Sequence, residues 1–253
     1  MKPLVFVADD FGLTKSVNDG ILEVYNAGTI QGIALMVMAD ATEDAVKRIK
    51  KHSIDHVGLH TSLFSFTKAD RKQREDYVNF FRQAKDDEIK KLVYDEIALF
   101  EKLVGKKPEF IAPQWNMHGN LRVTRYLGEY ALKHNIPMRL PRAVLTSDEI
   151  TDKNYSAEVM LQRMGVRMPD HLFARILGSS ASNIQQMFLD ELDTVNDGET
   201  TEILFHPSYL DEELLEITSL NFERTRDMAI LLDKKFIGSI YAKGFEFIPY
   251  SKI

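Results

Sequence analysis

Two aspartates follow an apolar run at the start of the chain. Leu4 to Val7 predict a strand buried on both faces, as in a parallel sheet, and Asp9 and Asp10 come shortly after it. Two carboxylates held close together repel each other, which raises the pKa of at least one of them unless a cation lies beside them. The pair therefore indicates either a metal site or a carboxylate pair that works as acid and base.

The same residues also allow a purely structural interpretation. Asp9 and Asp10 would then cap a turn, with Gly12 at its positive-φ position. Spacing alone does not separate the two interpretations. In α/β folds, however, ligands bind outside the carboxyl ends of the strands, and this location favours a functional site.

Other predicted strand ends also carry side chains that bind metals or sugars. They are His60, His206 and the stretch Gln114 to His118, which contains the single tryptophan of the chain. Each position alone is a weak signal, because a lone histidine is more often a structural residue than a ligand. The carboxyl ends of barrel strands gather catalytic groups from separate strands, so the four positions together predict one site.

Short strands and helices alternate along the chain and must position these residues. The predicted strands are 4–7, 33–38, 57–60, one that begins at Phe110, 137–140, 201–205 and 245–248. The predicted helices are 16–28 with Ser16 as N-cap, 41–51, 86–104, 121–134, 181–196 and 236–242. Strands that alternate with helices through short connections are typical of a parallel sheet or barrel.

Two segments do not fit this alternation. The segment 61–85 is basic and aromatic and follows a candidate catalytic strand end, which indicates a lid or substrate loop. A solvated helix that packs its aromatic residues inward explains the same composition. The segment 146–180 has weak patterns and is interpreted as an excursion over the mouth of the fold. We see no domain boundary, so residues 1–253 are expected to form a single domain.

Length, composition and net charge limit the class of protein. With 253 residues, 44% of them hydrophobic, the chain can form one α/β barrel with a full core. A formal net charge of −6 argues against a nucleic-acid partner, and the lack of cysteine excludes disulfides and thiolate catalysis. The sequence has no leader pattern and no apolar stretch of membrane-spanning length, so we expect a cytoplasmic protein without a membrane partner.

Short motifs are spread over nearly the whole chain. They are Ala8-Asp9-Asp10-Phe11-Gly12-Leu13, Val17-Asn18-Asp19-Gly20-Ile21, Gly58-Leu59-His60, His118-Gly119 and His206-Pro207, with a late pair of Arg224 and Asp227. Together these motifs resemble those of the YdjC-like carbohydrate deacetylases, which include the chitooligosaccharide deacetylases. The resemblance implies a deformed (β/α) TIM-like barrel and the removal of acetyl groups from N-acetylated sugars.

The resemblance also implies roles for individual residues. Asp10 and His60 would bind a divalent metal, and Asp9 would be the general base that takes a proton from metal-bound water. His206 is a candidate for protonating the leaving amine or for stabilising the oxyanion. Arg139 would contact the substrate or orient Asp9.

The sequence departs from the family pattern at the third metal position. The family usually has Asp-Ser-His-x-x-x-His after its fourth strand, whereas here Ala112, Pro113 and Gln114 precede a retained His118. An amide oxygen is a weaker ligand for zinc than an imidazole. Three outcomes stay open: Gln114 binds a harder ion such as Mg²⁺, His118 becomes the third ligand, or the metal is lost.

Two classes of function follow. The first is a metal-dependent hydrolase that deacetylates a small amino sugar or oligosaccharide, with Mg²⁺ or Zn²⁺ as cofactor. The second is a catalytically impaired carbohydrate-binding or regulatory protein on the same fold, in which Trp115 offers a platform for a sugar ring and Asn116 is a further candidate contact. A sugar-phosphate isomerase or aldolase is disfavoured, because the chain has neither a glycine-rich phosphate loop nor an obvious Schiff-base lysine. The sequence does not give the oligomeric state, although a homodimer is common for such enzymes.

Overall fold

The computed structural model describes residues 1–65, 79–115, 120–141, 148–175 and 180–253, with the backbone alone at 148–154. Its strands are β1 (Lys2–Phe11), β2 (Gly32–Leu35), β3 (Val57–Leu59), β4 (His171–Phe173), β5 (Thr201–Phe205) and β6 (Phe245–Phe247). Its helices include Lys15–Asn26, Thr42–His52, Asp86–Val104, Leu121–His134, Asp148–Met164, Ala181–Leu192, Glu212–Ile217, Phe222–Leu231 and Lys234–Ala242, and a 3₁₀ turn spans Tyr250–Lys252. None of the helices in these ranges is long and apolar enough to cross a membrane.

The strands form one parallel sheet that curls into a barrel. Their order is β3-β2-β1-β5-β4, and β6 pairs with the first residues of β1. Two bridged residues, Ile111 and Met138, continue the sheet beyond β3, and the Met138 amide donates a 2.9 Å hydrogen bond to the Arg167 carbonyl. These contacts connect the β3 edge of the sheet with the chain that precedes β4. The arrangement confirms the deformed TIM-like (β/α) barrel that the sequence predicts.

Apolar side chains fill two compartments on opposite sides of the sheet. Successive residues of a strand point to opposite faces, so β1 supplies both compartments. Leu4 and Phe6 belong to the larger cluster that packs against the helices. Val5 and Val7 belong to a smaller cluster, which we assign to the barrel interior and which also contains Ala34, Phe110, Ala112 and Tyr250. The catalytic candidates lie above this smaller cluster, at the carboxyl ends of the strands.

Most predicted elements exist, and the differences have local causes. The predicted bounds are exact for Asp86–Val104, Leu121–His134 and Thr201–Phe205. The N-cap of the first helix is Thr14, not Ser16 as predicted. The Thr14 hydroxyl accepts a hydrogen bond from the Val17 amide at 3.2 Å, whereas the Ser16 hydroxyl lies 2.8 Å from that of Thr14. The strands predicted from Phe110 and at 137–140 are reduced to the bridged residues named above.

The described part of the segment 146–180 belongs to the barrel. Its helix packs against Leu121–His134 so closely that a Cβ on Gly128 would lie 2.8 Å from the Leu161 side chain, and β4 joins the sheet. Residues 66–78 lie outside the described part of the chain. A lid at 61–85, or in the rest of 146–180, therefore stays a prediction.

Candidate active site

The end of β1 presents two consecutive carboxylates to one site. Between Ala8 and Phe11 the pairing with β2 shifts register, and Asp10 has a φ of +70°. Such a bulge redirects side chains, and aspartate is among the few residues other than glycine that adopt a positive φ readily. Asp9 is 2% exposed and Asp10 6% exposed, so both charges need compensation from neighbouring groups.

Arg139 holds Asp9 with two hydrogen bonds. Its Nη1 donates to Oδ2 at 2.6 Å and its Nη2 donates to Oδ1 at 2.9 Å. Burial by itself raises the pKa of Asp9, but Arg139 together with His60 and His206 outweighs burial, and the pKa lies below its usual value. Asp9 is therefore an ionised carboxylate of fixed orientation, which is what a proton acceptor in catalysis needs.

Arg139 lies between Asp9 and a second buried carboxylate, that of Glu202 on β5. The Nε of Arg139 donates to Glu202 Oε1 at 2.7 Å, and the Tyr250 hydroxyl donates to Oε2 at 2.7 Å. Burial raises the pKa of both Glu202 and Tyr250. A continuous chain of hydrogen bonds thus connects Tyr250 with Asp9 through Glu202 and Arg139.

Asp10 has a different partner on each carboxylate oxygen. Arg224, from the helix Phe222–Leu231, donates from Nη2 to Oδ2 at 2.6 Å. The other oxygen, Oδ1, lies 3.2 Å from Nε2 of His60. Burial by itself raises the pKa of Asp10, but Arg224 and His60 lower it far below its usual value. Asp10 is therefore ionised and has one oxygen directed at His60.

The backbone fixes the orientation of the His60 ring. Nδ1 lies 2.6 Å from the Ala112 carbonyl oxygen, which can only accept, so Nδ1 carries a hydrogen. In the neutral ring, Nε2 then directs a lone pair at Asp10 Oδ1, and two acceptors this close need a proton or a cation to join them. Burial lowers the pKa of His60, but Asp9 and Asp10 outweigh it and raise the pKa above its usual value. Metal-binding histidines commonly bond a backbone carbonyl through the other ring nitrogen in this way.

The backbone of Gln114 lies beside the residue that follows His60. Its backbone amide donates to the carbonyl of Thr61 at 2.9 Å, directly after His60. Its side chain is 5% exposed, and Oε1 has no hydrogen-bond partner in the described part of the structure. A buried amide oxygen without a hydrogen-bond partner is costly, and this oxygen is available to a ligand. The described residues contain no cluster of three or more His, Cys, Asp or Glu side chains that could hold a metal ion.

His206 follows β5 at the same end of the barrel. Its backbone amide donates to Asp227 Oδ2 at 2.9 Å, and Arg226 Nη2 donates to Asp227 Oδ1 at 2.9 Å. Burial lowers the pKa of His206 to about 4 in spite of the nearby aspartates, so its ring is neutral at pH 7. Burial raises the pKa of Asp227 to about 6. A neutral imidazole can donate a hydrogen bond to a negative charge that develops in a reaction.

The predicted substrate residues are only partly described. Trp115 has a φ of +49° and is 45% exposed. Asn116 and His118 lie outside the described residues, so their predicted contacts with sugar and metal stay predictions. Direct contacts join Asp9 to Arg139 and Asp10 to His60, and the charges of both aspartates act on the pKa of His206.

One family profile matches the chain over most of its length. It is that of the family described as YdjC-like protein, and the match covers residues 3–241. The chain belongs to the YdjC-like family. A carbohydrate deacetylase of Clostridium beijerinckii is 27% identical to it over 99% of both chains. A chitooligosaccharide deacetylase of Proteus mirabilis is 23% identical over 99% of this chain and 98% of that one. The family predicted from the sequence is confirmed.

A solved structure shares the fold of this YdjC-like chain. It is that of a proposed cellobiose-phosphate cleavage protein from Enterococcus faecalis V583, which is 22% identical. The two structures superpose with a TM-score of 0.80 over 99% of this chain and 98% of the other. At this identity the likeness establishes the fold alone.

Three buried residues of this YdjC-like chain support the site but were not predicted from the sequence. They are Glu96, Glu202 and Tyr250. Glu96, on the helix Asp86–Val104, accepts the backbone amides of Ser62 at 2.8 Å and Leu63 at 3.0 Å. It thereby fixes the loop that follows His60, and burial raises its pKa to about 7.

The sequence contains a signal for only one of these three. Glu202 is the one charged residue in the strand Thr201–Phe205, and a charge inside an otherwise apolar strand indicates a buried partner. Glu96 lies among other acidic and basic residues of an amphipathic helix, and Tyr250 lies in a short turn. Neither position has a pattern that distinguishes it from a surface residue.

Proposed function

We propose that this YdjC-like protein is a metal-dependent carbohydrate deacetylase that hydrolyses the N-acetyl group of an amino sugar or its oligosaccharide. One observation carries the proposal: an ionised Asp9, held by Arg139, lies next to an Asp10–His60 pair that needs a proton or a cation between its facing acceptors. The names of the two relatives support the substrate class.

The donor atoms fit a divalent cation. Two ligand atoms bound to one cation at about 2.1 Å lie roughly 3.0–3.4 Å apart, and Asp10 Oδ1 and His60 Nε2 are 3.2 Å apart. The unpartnered Oε1 of Gln114 is the third candidate ligand. Two oxygens and one nitrogen suit Mg²⁺ or Zn²⁺. A cation held there would polarise the acetyl carbonyl and acidify the attacking water.

Asp9 accepts a proton from the attacking water. Each of its oxygens accepts one hydrogen bond from Arg139, which leaves a lone pair on each oxygen for the incoming proton. Because Arg139 keeps the pKa of Asp9 below its usual value, the carboxylate is ionised before water arrives. The bidentate contact also prevents the carboxylate from rotating away from the reacting water.

His206 stabilises the oxyanion that forms as water adds to the acetyl carbonyl. Its ring is neutral at pH 7, so it acts by donating an N–H hydrogen bond and not as a general acid. The proton taken up by Asp9 then passes to the leaving nitrogen, the C–N bond breaks, and a free amine and acetic acid result. The acid then loses its proton to give acetate. Trp115, which is 45% exposed, is the candidate stacking surface for a sugar ring.

An assay of acetate release tests this proposal. The substrates are N-acetylglucosamine and its short oligomers, each with Mg²⁺ or Zn²⁺. We expect Asp9→Asn to lower kcat by at least about 100-fold, since a positioned proton acceptor commonly contributes that much. Asp193→Asn is the control, because Asp193 pairs with Lys243 on the surface. If the wild-type protein binds these oligomers but releases no acetate with either ion, it is a carbohydrate-binding protein and the proposal is wrong.

A further inference from the structure

Tyr250 lies inside the barrel, beneath the catalytic residues. It follows β6, which pairs with the first residues of β1, so it enters from the end opposite to the site. The side chain is fully buried in the interior cluster, and its ring stacks on that of Phe110 with centroids 4.3 Å apart and planes 12° apart. A phenol in an apolar compartment needs a partner for its hydroxyl, and Glu202 is that partner.

The turn that carries Tyr250 is anchored to the outside of the barrel. Arg167 donates from Nη1 to the carbonyls of Ser251 at 3.0 Å and Ile253 at 2.6 Å. The amide of Ser251 donates to Glu109 Oε1 at 3.3 Å. These contacts hold the tyrosine ring and its hydroxyl in place from below.

The Tyr250 hydroxyl influences the Arg139 guanidinium through the carboxylate of Glu202. Asp9 and Glu202 are both buried, and Arg139 donates hydrogen bonds to each. Without the Tyr250 hydroxyl, Glu202 Oε2 would lose a hydrogen-bond donor in a buried compartment, where an unpaired carboxylate oxygen is costly. Glu202 would then either draw Arg139 towards itself or take up a proton, and both changes alter the contact between Arg139 and Asp9.

We propose that Tyr250 is a positioning residue, which fixes the orientation of Asp9 through Glu202 and Arg139. The catalytic consequence rests on the proposed function, in which Asp9 accepts the proton of water. Tyr250 is fully buried and its hydroxyl pairs with Glu202, so we expect it to support the chemical step and not the binding of the sugar.

Tyr250→Phe tests this inference, because it removes the hydroxyl and keeps the stacked ring. We expect kcat to fall by about 10-fold and KM to stay within about two-fold of wild type, as for a partner that supports a catalytic group. Tyr130→Phe is the matched control. Tyr130 is also buried and donates to a carboxylate, that of Glu101, at 2.6 Å, but it lies outside the site. We expect this variant to keep the wild-type kcat.

A second measurement does not depend on activity. The Nε–H of Arg139, assigned by comparison with Arg139→Lys, is followed by NMR as it exchanges with water. We expect faster exchange in Tyr250→Phe than in wild type and no change in Tyr130→Phe. If Tyr250→Phe does not fold, Glu202→Gln is measured in the same way.

The inference is overturned if Tyr250→Phe keeps both the wild-type kcat and the wild-type exchange rate, or if Tyr130→Phe changes both as much. If the wild-type protein releases no acetate from any substrate tested, the proposed function fails, and the exchange rate alone then decides whether Tyr250 positions the Arg139–Asp9 pair.

Discussion

Buried charges that lie in direct contact define the chemistry of individual residues in this protein. Asp9 and Asp10 are adjacent in the sequence but have separate partners, Arg139 and Arg224. The repulsion expected between them is therefore offset by two guanidinium groups, and both pKa values lie below their usual range. The second ring nitrogen of His60 faces Asp10, and the two aspartates raise the pKa of His60 above its usual value in spite of burial.

Glu96 is expected to make the protein less stable as the pH rises from about 4.5 to about 7. Burial raises its pKa in the folded state to about 7, from an ordinary value of 4.5. Over this range the folded state keeps a proton that the unfolded chain has lost. The free energy of unfolding should therefore fall by about 3 kcal/mol relative to Glu96→Gln, whose side chain does not titrate.

Urea unfolding of wild type and Glu96→Gln across this pH range measures the difference. The Gln variant is the control, because every other titrating group is common to both proteins. A difference in unfolding free energy that stays constant with pH would contradict the expectation.

At the scale of elements, periodicity predicted most of the strands and helices but not their irregularities. The run Leu4–Val7 and the strand Thr201–Phe205 were predictable, since apolar residues bounded by turn signals allow few other structures. The register shift after Ala8 and the positive φ of Asp10 were not, because they depend on how β1 pairs with β2. That irregularity is what brings Asp9 and Asp10 to the same site.

Gly20 is expected to control how closely the helix Lys15–Asn26 approaches the loop after β5. A Cβ there would lie 2.6 Å from Cα of Ser208, two residues after His206. Gly20→Ala should therefore lower the free energy of unfolding by about 1–3 kcal/mol through overpacking. Gly238→Ala, in a helix where the added Cβ meets no atom within 4 Å, should raise it by roughly 0.5–1 kcal/mol.

Denaturant unfolding of the two glycine variants gives both values in one experiment. The two changes in unfolding free energy are expected to have opposite signs. Both variants replace glycine by alanine inside a helix and so gain the same helical propensity, and they differ in the space around the new methyl group. Equal changes in the two variants would show that the contact with Ser208 does not limit the packing.

At the scale of the whole molecule, the barrel brings together side chains that are far apart in the sequence. The order of the elements predicted that the strand ends share one rim of the barrel. This shared rim indicated His60 and His206 as site residues, as well as the two aspartates. The contact of Arg224 with Asp10 was not predictable, although both residues belong to motifs noted in the sequence. Pairings of this kind depend on tertiary packing, which no local pattern records.

We propose that Asp10, His60 and Gln114 hold a divalent cation. Calorimetric titration of the metal-stripped protein with Mg²⁺ and with Zn²⁺ tests it most directly. We expect one equivalent of at least one ion to bind to wild type, affinity at least about 10-fold weaker in His60→Ala, and tighter zinc binding in Gln114→His. Binding of neither ion to wild type, or equally tight binding to His60→Ala, would contradict the claim.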